Sequence, residues 1–122
     1  MKIVDRKTFL AMPAGTVFAK YQPVIFGELT IKGHSVGPEP VDYYEQRLIE
    51  VDANDLGGMV DRLDLSQQTG YSVPLDFYCS GRDGLFDEDQ LFAVFEPHDV
   101  EALILRLQQA LRDSTSPAPV TA

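Results

Sequence analysis

Carboxylates are the most plentiful reactive groups in this chain, and the run Asp83-Gly84-Leu85-Phe86-Asp87-Glu88-Asp89 concentrates them. Oxygens from Asp83, Asp87 and Asp89 would suit a hard cation such as calcium. The spacing argues otherwise. An EF-hand loop starting at Asp83 would have Leu85 at its third position and Val94 at its twelfth, where a bidentate Glu is required. Asp52-Ala53-Asn54 with Gly57 fails the same way, because Leu63 takes the twelfth place. A solvated acidic turn is the simpler account. Cys79 is the only cysteine, and His34 and His98 are the only histidines. One thiol excludes an intramolecular disulfide and a cysteine-rich zinc site. A Cys–His nucleophilic pair needs hydrogen-bond reach, and nothing in the spacing supplies it. Cys79, inside an apolar stretch, reads instead as a small buried hydrophobe. The dense aromatics Phe77, Tyr78, Phe86, Phe92 and Phe95 read as core. Glycine-rich phosphate loops and the GxSxG elbow are missing from the sequence. The expectation is therefore no cofactor, no metal and no catalytic residue.

Charge is more informative than any motif. The net charge is −9 over 122 residues, and it is unevenly spread. Residues 1–40 carry +2 and residues 41–122 carry −11, with all four lysines in the first 32 positions. A nucleic-acid surface needs clustered Lys and Arg to neutralise phosphates, so direct nucleic-acid binding is not expected. An acidic face suits a basic protein surface, where complementary charge speeds encounter and fixes register. The residues expected to present that face are Asp83, Asp87, Glu88 and Asp89, with Asp61 and Asp64 on a neighbouring helix. The alternative is a small-molecule or nucleotide-signal binder, which would need Arg47, Arg62 and Arg82 to converge.

These side chains need elements to hold them. Asp5 should cap a short helix through Ala11, with Phe9 and Leu10 turned to the core. Thr16–Tyr21 alternates like a strand, and Ile25–Lys32 follows as a second. Gly27 there would permit a bulge or a close backbone approach. Gly33–Pro40 reads as a loop. Asp42–Val51 mixes helix and strand preferences; strand is preferred because it can join the preceding meander. Asn54 or Asp55 should cap a helix carrying the stripe Leu56, Met59, Val60 and Leu63, closed by Gly70. Tyr71–Cys79 reads as a strand interrupted by Pro74, and Ser80–Gly84 as a turn. Leu91–Phe95 is a continuous apolar run, the pattern of a central strand. Pro97 then opens an amphipathic helix with the stripe Val100, Leu103, Ile104, Leu107, Ala110 and Leu111, read as buried. The expected fold is α+β: a small, mostly antiparallel sheet of about five strands packed against two or three helices, the last one C-terminal. Residues 1–112 form the single domain and residues 113–122 a disordered tail. Charges at Asp5, Arg6 and Lys7 interrupt any secretory leader. No apolar run approaches the ~20 residues of a membrane span. The reading is a cytoplasmic protein without membrane contact.

Two stretches, MKIVDRKTFLAMPAGTVFAKY and VPLDFYCSGRDGLFDEDQLFAVFEPHDVEALILRLQQAL, resemble small proteins encoded by bacteriophages and prophages of proteobacteria. The resemblance implies an accessory phage gene acting in the host cytoplasm. That class is rich in small acidic inhibitors of host defence, anti-CRISPR proteins among them. It shares no motif, so it assigns no residue a role. The combined expectation is a non-enzymatic acidic protein-binding module, an anti-CRISPR-like counter-defence inhibitor docking on a basic host protein, with a homodimer possible.

Overall fold

Alternation and apolar runs build one antiparallel sheet, and a single short helix closes its core. The computed structural model describes residues 1–116. Its strands are β1 (Lys2–Val4), β2 (Val17–Gln22), β3 (Ile25–Phe26), β4 (Thr30–Val36), β5 (Asp42–Arg47), β6 (Ser80–Arg82) and β7 (Leu91–Phe95). The helices are α1 (Arg6–Leu10), α2 (Leu56–Thr69) and α3 (Pro97–Thr115). The sheet runs β1-β7-β2-β4-β5-β6, with β3 added beside the end of β2, and every pairing is antiparallel. The described residues thus form an α+β fold with seven strands. Among the described residues, no helix is long and apolar enough to cross a membrane.

The apolar run of β7 earns its central place by pairing with β1 on one side and β2 on the other. Phe92 and Val94 share a face with Phe18, while Ala19 sits directly opposite Ala93 on the other face. Asp5 caps α1 by accepting from the Thr8 N–H at 2.8 Å, as its position predicts. That helix is only five residues long, but it delivers Phe9 to the centre of the core. The Phe9 ring stacks on Phe92 at 3.9 Å and meets Phe18 and Tyr43 edge-on. Burying each of these rings contributes up to about 3 kcal/mol before entropy.

Several segments differ from the expectation. Ile25–Lys32 is split: Ile25–Phe26 returns on β2 as a hairpin, and β4 begins only at Thr30. Gly27 makes the close approach, its N–H donating to the Lys20 carbonyl at 2.7 Å. Gly33–Val36 belongs to β4, and the register shifts between Lys32 and Ser35. Gly33 serves a bulge there, since a Cβ would lie 2.9 Å from that of Tyr44. Tyr71–Cys79 forms only one bridge, Leu75 to Val51, because Pro74 lacks the N–H that a ladder requires. The edge strand β6 lies instead in the expected turn. Cys79 is exposed, so it is not a core residue. Phe77, Tyr78 and Phe86 are also exposed.

Helix α2 starts at Asp55, whose carboxylate accepts from Gly58 N–H at 2.7 Å, and ends at Gly70 with φ 76°. Helix α3 starts after Glu96, whose N–H donates to the Asp99 carboxylate at 2.9 Å. It continues to Thr115, so residues 113–115 are helical rather than tail; residues 117–122 lie outside the described residues. Neither α2 nor α3 contains a buried residue. The α3 stripe read as core is open: Ile104, Leu107 and Leu111 are 50%, 59% and 64% exposed.

Candidate protein-binding surface

Asp83 has a different role from its acidic neighbours. Its side chain is only 2% exposed. One oxygen receives the Lys20 ammonium at 2.5 Å, and the other lies 3.6 Å from the buried Arg6 guanidinium. Asp42, the first residue of β5, is wholly buried beside it. The Asp42 carboxylate accepts from Arg82 at 2.9 Å and from Gly84 N–H at 3.1 Å. Burial alone would raise the Asp42 pKa; hydrogen bonds from the Tyr43 and Gly84 backbone and from Arg82 more than offset this and hold it below the usual carboxylate range. The Tyr43 hydroxyl has no hydrogen-bond partner among the described residues. Burial, reinforced by the Asp83 and Glu45 carboxylates, keeps it protonated.

This cluster of Arg6, Lys20, Asp42, Arg82 and Asp83 ties the start of the acidic loop to α1, β2 and β5. The far end is tied as well, by Gln90, whose amide donates to the Tyr21 and Leu91 carbonyls. Between the anchors, Asp87 accepts from Asp89 N–H at 3.0 Å, an Asx turn. Phe86 adopts φ 51°, a left-handed conformation uncommon for an aromatic residue. The result is a pinned loop whose crest, Leu85 to Asp89, is exposed.

Of the expected presenting residues, Asp87, Glu88 and Asp89 therefore sit together on that crest. Asp61 and Asp64 are exposed one turn apart on α2. None of these five has an ion-pair partner among the described residues. Asp83 is the correction: it is an anchor, buried by the cations that neutralise it. Sequence reasoning missed Arg6, Lys20 and Asp42 altogether. The available signal was Lys20, which alternates onto the face of Phe18, where a lone cation needs a counter-charge.

Around this loop lies a longer exposed region. Among the described residues, none from Tyr44 to Leu91 is buried as a whole. Yet the region displays Ile49, Leu56, Phe77 and Tyr78 at 82%, 69%, 51% and 83% exposure. Residues 48–90 also hold ten acids against two arginines, a net of −8.

Arg47, Arg62 and Arg82 do not share a partner. Arg47 lies near Glu28 and Glu45, Arg62 donates to the Asp52 carbonyl, and Arg82 pairs with Asp42. A groove of about 870 Å³ opens between Leu10, Val41, Phe86 and Glu88, with Arg6 and Lys7 on its wall. None of Arg47, Arg62 and Arg82 lines it. His98 stands beside Glu96 and Asp99, with one ligand atom from each within 4.8 Å of the others. The two carboxylates are already committed: Asp99 accepts the Glu96 N–H that starts α3, and Glu96 pairs with Lys2 at 3.2 Å. The His34 ring lies against that of Tyr44, with centroids 4.5 Å apart and planes tilted by 31°. Comparison with known proteins found no matching family model, no matching curated protein and no matching solved structure.

Proposed function

We propose that the protein is a non-enzymatic, acidic protein-binding module that docks on a basic surface of another protein. The observation that carries this reading is the region from residue 48 to 90. It combines a net charge of −8 with large apolar side chains left open to solvent. Exposed apolar groups in such numbers favour a macromolecular partner. The surrounding carboxylates favour a cationic one and would repel nucleic acid. Rigidity adds to the case, because a crest pinned at Asp83 and Gln90 loses little freedom on binding. The resemblance of residues 1–21 and 73–111 to phage-encoded proteins favours a host-defence protein as the partner, one whose basic face normally holds nucleic acid.

The test is capture from a proteobacterial lysate on immobilised full-length protein, at about 50 mM and about 500 mM salt. A protein retained at low salt should be released at high salt. It should also be lost when Asp87→Asn, Glu88→Gln and Asp89→Asn are combined. Retention indifferent to both changes, or no retention, overturns the reading.

A further inference from the structure

Helix α3 leaves a face uncovered that its own symmetry can cover. Its 19 residues span roughly 28 Å. Val100 and Leu103 are half-buried, while Ile104, Leu107 and Leu111 point their shared stripe into solvent. A helix gains most of its stability by packing such a face. The residues Val100, Ile104, Leu107 and Leu111 follow one another at intervals of four, three and four. That sequence of intervals is the same read from either end. Its midpoint falls between Leu105 and Arg106.

We infer that the α3 stripe is the interface of an antiparallel two-fold dimer, with a second copy of this chain as its occupant. Rotation about the midpoint brings Val100 against the partner's Leu111 and Ile104 against the partner's Leu107. Each contact occurs twice, as an isologous interface requires. The charges fit the same arrangement. Glu101 and Arg112 are eleven residues apart, about three turns, and so lie on one flank of the helix. Neither has an ion-pair partner among the described residues. In the antiparallel pair, Glu101 comes within about 3 Å along the axis of the partner's Arg112. The opposed helix dipoles add to this. A parallel pair would instead leave Glu101 about 16 Å along the axis from the partner's Arg112. The interface uses α3 alone, independently of the acidic crest and α2.

The experiment is sedimentation equilibrium of the full-length chain from about 5 to 500 µM, a range that brackets the micromolar affinity expected of a small helical interface. The mean mass should rise from 13.6 kDa toward twice that value. Leu107→Glu should hold the chain at the monomer mass throughout, with circular dichroism confirming that it remains folded. Glu101→Arg and Arg112→Glu should each weaken the dimer by several-fold, and the two together should restore it. A monomer at every concentration overturns the proposal, as does a dimer indifferent to Leu107→Glu. Failure of the double exchange to restore association overturns the antiparallel pairing.

Discussion

Two regions of this small protein are built on opposite terms. In the first, α1 and the central strands enclose Phe9, Leu10, Phe18, Tyr43, Phe92 and Val94 in one cluster. In the second, α2, the residues around it and the outer part of α3 present comparable apolar side chains to solvent. Composition does not distinguish them: leucine and aromatic residues occur in both regions. What distinguishes them is whether another element of the same chain lies opposite. Five residues of α1 organise a core because the sheet receives them, while the longer α2 and α3 bury no residue and leave Leu56, Val60, Leu63, Ile104, Leu107 and Leu111 exposed. The first region holds the molecule together, and the second leaves its apolar side chains open to solvent.

Truncation should expose that difference most strongly. Phe9→Ala removes a ring in contact with three others, and urea unfolding should show a loss of about 3–5 kcal/mol. Leu63→Ala removes an apolar side chain from α2 that is already 44% exposed. Its cost should stay below about 1 kcal/mol. Equal losses from the two substitutions would show that α2 packs as part of the core.

The anchored loop carries the next comparison. Asp83 and Asp87 are four positions apart, but only Asp83 is enclosed by cations. Asp83→Ala leaves Arg6 buried with its nearest carboxylate gone, and the expected loss in urea unfolding is about 3 kcal/mol. Asp87→Asn should leave stability within about 0.5 kcal/mol, as exposed substitutions do. Matching losses would mean that Asp83 is a surface acid like its neighbour.

The core was far more legible in the sequence than the surface. Asp5 as cap, Phe9 as core residue, Leu91–Phe95 as central strand and Gly70 as helix terminator all follow from local rules, and each stands in the structure. Helical periodicity located the α3 stripe correctly but could not say whether anything covers it, because 3.6-residue spacing reports a face and not its neighbour. Gly33 misled for a related reason. Glycine marks a turn and a strand bulge alike, and only the approach of Tyr44 decides which. Ser80–Arg82 was hidden because a three-residue edge strand, paired on one side and exposed on the other, needs no apolar pattern. The buried role of Asp83 depends on Arg6 and Lys20, 77 and 63 positions away, a separation that no local window spans.

The subtlest contrast is between carboxylates on the same sheet. Glu45 lies on β5 with its side chain 12% exposed. Burial raises its pKa above 4.5, with Lys20 and Arg47 opposing the rise and Asp83 and Glu28 adding to it. Asp42, three residues earlier, has its pKa held below 3.8. The two therefore contribute to stability with opposite pH dependence. Folded Glu45 holds its proton more tightly than the unfolded chain does, so its contribution is complete below pH 4.5 and is lost as pH rises through its elevated folded pKa. Asp42 contributes above its unfolded pKa, and that contribution is lost as pH falls through its depressed folded value. Glu45→Gln removes the first dependence and leaves the second. Urea unfolding from pH 4 to pH 7 should show the wild type losing stability relative to Glu45→Gln as pH rises above 4.5. The two curves should keep a constant separation below that point. A difference of the reverse sign would mean that the cations Lys20 and Arg47, rather than burial, govern Glu45.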